Sequence, residues 1–451
     1  MSSPQRFTIL TEEVPSQDEI TFMVTNVLNL PADIHIHPLC VNNNFKGEWL
    51  INLEKEKVEV SVKLFKGKTS SPDYLLFEGD VNNETNPETA ICILESTKTN
   101  DSSSRNTSVN QRISKFVVFQ QMYPKNQSRK IMFYNRTWKK ASDALTATGK
   151  FGMMLMRSLN IEAFHGENNV FENLYELYKI DKFESIDSMI AAKNEIKEKK
   201  GNVSVKIEVN DGNYQISCRL DKGKPGGNSY GKMSHDPNVG LLCGLVNFIH
   251  MYSADNNCKI IVENHNISQE YFNKLRENKF WYAIHGIDVS FAGVADVKRP
   301  ELPSSYFTIE SECTEKIATI LFSQVIDKQY SCIFSNHSGC ALTNIKTKGA
   351  DIVVERTMKR PDILFYNESE NTLLIVEGKI EKDIKKGVAQ LQDSNLDRFM
   401  QLIQTAYPGS TIKKGLCITI NKLEKLEKYK NLEFPVVFAI DSTGSFYCDI
   451  H

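Results

Sequence analysis

The sequence predicts an α/β protein in which mixed β-sheets are flanked by helices, arranged as two domains. Three observations carry this. Stretches in which apolar and polar residues alternate with period two recur along the chain and are interleaved with stretches of helical period. At 451 residues the chain is longer than one hydrophobic core usually supports. The pattern breaks at Asp296–Ser305, where Pro300 and Pro303 lie among charged residues in the manner of a linker, and then restarts. The expected domains are residues 1–300 and 301–451.

In the first, Trp49, Ile51 and Leu53, then Val58, Val60, Val62 and Leu64, alternate with polar residues and predict paired strands. Tyr74–Val81 and Thr89–Glu95 form a second pair around the turn-rich 82–87 segment. A polar run over 99–110 leads to a short helix and then a strand at Lys115–Gln121. Helices are expected at Ser142–Leu159, Val170–Lys179, Ser185–Lys199 and Val239–Ser253. In the second domain a helix over Glu312–Gln329 places Ile317, Ile320, Leu321 and Val325 on one face. Strands at Ile352–Glu355, Asp362–Tyr366 and Thr372–Gly378 precede a long helix at Lys382–Ala406. Strands at Gly415–Ile420 and Pro435–Ile440 close the chain.

Composition narrows the function classes. No run of 18 apolar residues occurs, so no membrane span is expected. Met1–Ile20 carries Glu12, Glu13, Asp18 and Glu19 and lacks an apolar core segment, unlike a secretory signal. The ten cysteines form no CxxC pair, which argues against a zinc ribbon and fits thiols in a reducing cytoplasm. With a net charge of −2, any attraction for nucleic acid must be local.

The chemistry concentrates at one hairpin. Arg360-Pro361-Asp362 opens a strand, and Leu373-Leu374-Ile375-Val376 runs apolar until it ends in Glu377-Gly378-Lys379. A hairpin centred on Ser369 and Glu370 sets Asp362 across from Glu377, and Lys379, two residues on, shares that face. Carboxylates this close repel unless a cation sits between them, and hard oxygen ligands suit Mg²⁺. A lysine beside them is placed to hold a water or to offset charge on a phosphate. The plainer alternative is a surface hairpin stitched by ion pairs.

Pro361-Asp362, fourteen intervening residues and then Glu377-Gly378-Lys379 resemble the PD-(D/E)XK nucleases, which include most type II restriction endonucleases. The resemblance covers residues 310–440 and implies a restriction-endonuclease-like core, Mg²⁺ dependence and products with 5′-phosphate ends. A helix before the sheet often supplies another acid in that family, for which Glu315 or Glu312 stands in the matching place. The helix after the lysine commonly carries a glutamine, for which Gln390 is suitably spaced.

A second, less regular hairpin lies upstream and raises the prospect of two such cores in one chain. Folding it about residue 84 puts Asp73 opposite Glu95, whereas Asp80 has the offset to Glu95 that Asp362 has to Glu377, so both acids stay open. The lysine here, Lys98, comes three residues after the glutamate, where a regular strand faces it away, and Thr97 holds the expected place. A second catalytic core, a degenerate core kept for DNA binding and an ordinary hairpin all remain open.

Between Arg105 and Arg157 stand eleven Lys or Arg (Arg105, Arg112, Lys115, Lys125, Arg129, Lys130, Arg136, Lys139, Lys140, Lys150 and Arg157) with Asp143 as the only acid. This reads as a phosphate-binding stretch. Arg105, Asn106, Gln111 and Arg112 are expected to reach DNA. So are Arg219, Lys222, Lys224 and Lys232 in the glycine-rich 218–232 segment, and Gln390. The reading as a whole is a Mg²⁺-dependent type II site-specific deoxyribonuclease acting on double-stranded DNA in the cytoplasm. The resemblance implies a symmetric homodimer, or one chain cutting both strands if both hairpins are live, and a cognate DNA methyltransferase as its genetic partner. A repair or structure-specific nuclease without sequence readout, and a DNA-binding protein with an inert core, are the alternatives.

Overall fold

The computed structural model describes residues 4–450 apart from 13, 32–33, 35, 54, 56, 68–71, 83–84, 98–107, 136–144, 168, 197–203, 212, 222–236, 253–257, 266–283, 285–287, 292–306, 310–313 and 336–358. The chain divides into two compact units: Met1–Lys66 with Ile309–His451, and Gly67–Thr308. The first 66 residues thus group with the C-terminal part, which a single cut at residue 300 does not anticipate. The proposed linker and the strand at 352–355 lie outside the described residues.

The N-terminal segment contributes β1 (Gln5–Thr11), α1 (Gln17–Phe22), β2 (Ile36–Val41), β3 (Asn44–Leu53) and β4 (Val58–Gly67), with β3 lying between β2 and β4, and β4 parallel to β1. Ser16 and Glu19 cap α1 reciprocally.

The unit of residues 67–308 begins with β5 (Tyr74–Glu78), β6 (Cys92–Thr97), α2 (Ser108–Met122), β7 (Arg129–Asn135), α3 (Ala147–Ser158), β8 (Ile161–Glu167) and β9 (Val170–Asn173). β5 and β6 are antiparallel, β6–β7 and β7–β8 parallel, and β8–β9 antiparallel. After α4 (Leu174–Leu177) and α5 (Ile186–Glu195) come β10 (Ser204–Asn210), β11 (Asn213–Asp221), α6 (Pro237–Tyr252), β12 (Cys258–His265) and β13 (Asp288–Phe291), which form a separate four-stranded sheet.

Two expectations fail here. Lys115–Gln121 is not a strand but the body of α2. Ile113, Phe116, Val117 and Gln120 follow helical spacing, and burial of Ile113, Phe116, Val117 and Phe119 outweighs the strand preference of the Val-Val pair. The helix expected at 170–179 begins instead as strand β9, paired with β8, and Asn173 caps only a single helical turn.

Past β14 (Phe307–Ile309), the chain forms α7 (Glu315–Val325), β15 (Ser331–Ser335), β16 (Ile363–Asn367), β17 (Thr372–Ile380), α8 (Ile384–Leu391), α9 (Ser394–Ala406), β18 (Thr411–Ile420), β19 (Val436–Asp441) and β20 (Phe446–Cys448). The sheet runs β15 to β20 in order, with β16–β17 antiparallel, β17–β18 and β18–β19 parallel, and β19–β20 antiparallel. This repeats the pairing order of β5 to β9, again with helix between the second and third strands of the series.

β17 is buried along nearly its whole length because helices cover both faces, so it reads as a continuous apolar run. Leu364, Leu373 and Ile375 pack with Ile384, Leu391 and Phe399 of α8 and α9. On the opposite face Phe322 of α7 meets Phe365 edge-on at 5.5 Å. The single helix expected over Lys382–Ala406 is two helices, because Asp393 accepts from the Asn395 backbone N–H at 2.9 Å and starts α9 afresh. Among the described residues no helix is long and apolar enough to cross a membrane. Of the described cysteines, Cys40, Cys92, Cys243, Cys332, Cys417 and Cys448 are free thiols.

Candidate active site

The β16–β17 turn is fixed by its own side chains. Asn367 Oδ1 accepts from Ser369 Oγ at 2.7 Å and from the Glu370 N–H at 3.1 Å, while Asn371 takes a left-handed φ of 47°. The resulting register pairs Ile363 with Val376, so its continuation sets Asp362 beside Glu377. That is the register expected from a turn centred on Ser369 and Glu370.

At this end of the hairpin Asp362 Oδ2 accepts the Gly378 backbone N–H at 2.8 Å and Lys379 Nζ at 3.1 Å. Lys379 Nζ also donates to Glu377 Oε2 at 3.0 Å and to the Gly378 carbonyl at 2.6 Å. Glu377 is 2% exposed, whereas the side chains of Asp362 and Lys379 keep 17% and 11%. The cluster is therefore reached from the Asp362 and Lys379 side.

Two glycines make room for it. A Cβ on Gly378 would lie 2.7 Å from Thr319 Cγ2 and 3.2 Å from the Glu315 carbonyl oxygen, so its absence lets the first turn of α7 rest on β17. Thr314 caps that turn, accepting from the Ile317 N–H. Glu315 thereby comes within electrostatic reach of Asp362 and Lys379. A Cβ on Gly387 of α8 would stand 2.8 Å from Lys379 Cγ, so this glycine opens the space for the lysine stem.

Burial, reinforced by the Asp362 carboxylate and opposed by Lys379, pushes the Glu377 carboxyl up to about 7. Burial also raises Glu315, with Lys379 opposing and Asp362 and Asp383 adding to the rise. For Lys379, burial works against the charge, but Asp362 and Glu377 outweigh it and hold the ammonium in its charged form. The site thus has three acids against one lysine in a poorly solvated pocket.

That donor set fits a hard divalent cation. Among the described residues no group of three or more His, Cys, Asp and Glu forms a ready-made metal cage. Mg²⁺, however, is commonly held by one or two carboxylates, with water and phosphate oxygens completing its shell. Asp362 and Glu377, with Glu315 alongside, supply that much.

The upstream hairpin chooses between its two acids. Tyr74 pairs with Leu94, which sets Asp73 beside Glu95. β5 ends at Glu78, and Gly79 at φ 91° turns the chain, leaving Asp80 exposed on the turn side away from Glu95. Asp73 Oδ2 accepts the Ser96 backbone N–H at 2.8 Å. Lys115 Nζ donates to Glu95 Oε2 at 2.8 Å and to Asp73 Oδ1 at 3.4 Å. Arg112 Nη1 bonds Glu95 Oε1 and the Ser96 carbonyl. Glu95 is fully buried, and burial with the Asp73 carboxylate, opposed by Lys115 and Arg112, pushes it up to about 7. Lys98 lies outside the described residues.

Arg112 is therefore tied into an acid pair. In the sequence Lys115 reads only as one charge in a basic stretch. Read on a helix, Arg112 and Lys115 fall three residues apart on one side, and that spacing was the available signal. Other members of the stretch are also engaged within the fold: Arg129 pairs with Glu162 at 2.9 Å, and Arg157 donates to the Ile180 carbonyl and lies over the Tyr175 ring. Lys125 and Lys150 are exposed. The fold's own acids and carbonyls thus engage part of the stretch. Gln111 lies on α2 and Arg219 on β11, while Arg105, Asn106, Lys222, Lys224 and Lys232 fall outside the described residues. Gln390 is exposed on α8, and among the described residues no hydrogen bond joins it to Asp362, Glu377 or Lys379. In comparisons with known proteins, no protein-family model, no curated protein and no solved structure matches the chain.

Proposed function

We propose that this chain is a Mg²⁺-dependent endonuclease that hydrolyses phosphodiester bonds of double-stranded DNA, in the manner of a type II restriction enzyme of the PD-(D/E)XK kind. The observation that carries the reading is one lysine ammonium within 3.1 Å of both Asp362 and Glu377, at the end of a buried strand. Asp362 and Glu377 hold the cation, with Glu315 adding negative charge beside them. When bound, the ion supplies Lewis-acid polarisation of the scissile phosphate and lowers the pKa of a coordinated water. Lys379, kept charged by its two carboxylates, orients the attacking water and offsets negative charge growing on the phosphate. Glu377, raised chiefly by burial and then by Asp362, is the kind of perturbed carboxyl that clusters at functional sites.

The test is incubation of the purified chain with supercoiled plasmid and Mg²⁺, with a chelator as control. Discrete linear fragments support the restriction reading. A smear transfers the same chemistry to a nuclease without sequence readout, and intact plasmid under all Mg²⁺ conditions removes the proposal.

A further inference from the structure

We propose that a DNA duplex lies across the edge where β17 and β18 end, its backbone phosphates held by Lys382, Lys385, Lys422 and Lys428. This deepens the nuclease reading and rests on it for the identity of the polyanion. It assigns a DNA-holding surface to the unit that carries Lys379, outside the basic stretch of residues 105–157. Two independent observations carry it.

The first is topological. β17 and β18 are parallel, with Lys379 beside Ile418 and Ile380 beside Thr419, so both strands end at one edge of the sheet. The segments that leave them, residues 381–391 and 421–430, therefore emerge side by side. Glu381 joins the two: its Oε2 accepts the Asn421 N–H at 3.3 Å and its Oε1 the Tyr429 hydroxyl at 3.2 Å. The carboxyl ends of parallel strands are where α/β sheets commonly receive their ligands. The Lys379 ammonium belongs to the same edge. Gly387 of α8 packs on the stem of that lysine, and Asp383, just before α8, lies within electrostatic reach of both Lys379 and Glu315.

The second observation is the charge left over. Residues 381–391 and 421–430 hold seven lysines against four acids, in a chain whose net charge is −2. Three of those acids are engaged: Asp383 with Lys386 at 2.6 Å, Glu427 with Lys430 at 2.6 Å and Glu381 with Lys425 at 3.9 Å. Lys382, Lys385, Lys422 and Lys428 are exposed and form no ion pair among the described residues. Glu424 is the remaining acid. Like charges gathered at one edge repel each other, and a polyanion relieves that repulsion. Ammonium groups on flexible stems hold phosphates as point charges and read no bases. These four lysines therefore grip and orient the duplex, and sequence readout falls to other groups.

The experiment follows binding of a short duplex by fluorescence anisotropy across a salt series, with a chelator present so that nothing is cut. The full chain is compared with a variant carrying Lys382→Gln, Lys385→Gln, Lys422→Gln and Lys428→Gln; the pair Lys385→Gln and Lys428→Gln serves should the fourfold variant not fold. Each phosphate contact adds about 0.9 to the slope of log affinity against log salt, so the fourfold variant should lose about three to four units of slope and bind at least about tenfold more weakly. In Mg²⁺ its KM should rise while its kcat at saturating DNA stays at the parent value. Lys46→Gln with Lys57→Gln, at exposed positions of the same unit, should keep the parent slope. An unchanged slope in the fourfold variant, or an equal loss per lysine in the Lys46 and Lys57 control, overturns the surface. A parent chain that binds the duplex with the steep slope but never cuts it removes the nuclease reading instead and leaves the surface standing.

Discussion

Lys379 carries the sharpest consequence at the scale of single residues. Its ammonium touches both acids and the Gly378 carbonyl, so on the proposed reading Lys379→Ala removes a positive group from the reacting phosphate. Loss of one such donor typically costs about 10²–10³ in rate. Cleavage by that variant is expected to fall by at least this much with its circular dichroism unchanged. Glu377 predicts a pH dependence. Its carboxyl is raised from 4.5 to about 7 in the folded chain, chiefly by burial and then by Asp362. Between these values the metal-free folded state holds a proton that the unfolded chain has released, so stability falls as pH rises through that window and levels off above it. Metal binding runs the other way, because the proton competes with the cation. Mg²⁺ affinity is expected to weaken by up to about tenfold per pH unit below the raised value, which calorimetric titrations on either side of neutrality would measure.

At the scale of elements, the site depends on how closely helices approach strands. Gly387→Val would drive a Cβ against Lys379 Cγ and Leu416 Cδ2, which now stand 2.8 and 3.0 Å from that position. Overpacking of this kind costs about 1–3 kcal/mol. The turnover rate is expected to fall further than the urea midpoint, because the lysine stem moves first. Asp393→Ala removes the cap that starts α9 and should cost about 1 kcal/mol in urea denaturation with little effect on cleavage.

The same scale separates what could be read from the sequence from what could not. The β16–β17 hairpin was legible because its polar turn at residues 367–371 sets the pairing and its unbroken apolar run marks a strand buried on both faces. Helix α2 was not, because the Val117-Val118 pair imitates a strand and only packing decides the matter. Lys115 escaped for the same reason: its partners Asp73 and Glu95 are 42 and 20 residues away, and nothing local announces them. The affinity of Met1–Lys66 for the C-terminal unit rests on contacts such as Trp49 Nε1 to Gln324 Oε1 at 3.0 Å, between residues far apart in the chain.

For the whole molecule, the raised Glu377 carboxyl beside Asp362 is a cost that a bound cation would relieve. A divalent ion that binds only the folded chain stabilises it by mass action, about 2.7 kcal/mol at a hundredfold excess over Kd. Saturating Mg²⁺ is therefore expected to raise the melting temperature of the parent chain, and to raise it less in Asp362→Asn. Whether Asp362, Glu377 and Lys379 together cut DNA is read from the initial rate of plasmid cleavage by Lys379→Ala beside the parent chain in Mg²⁺. The parent is expected to cut and the folded variant to be slowed by at least about 10². A variant that cuts both strands at the parent rate would contradict it.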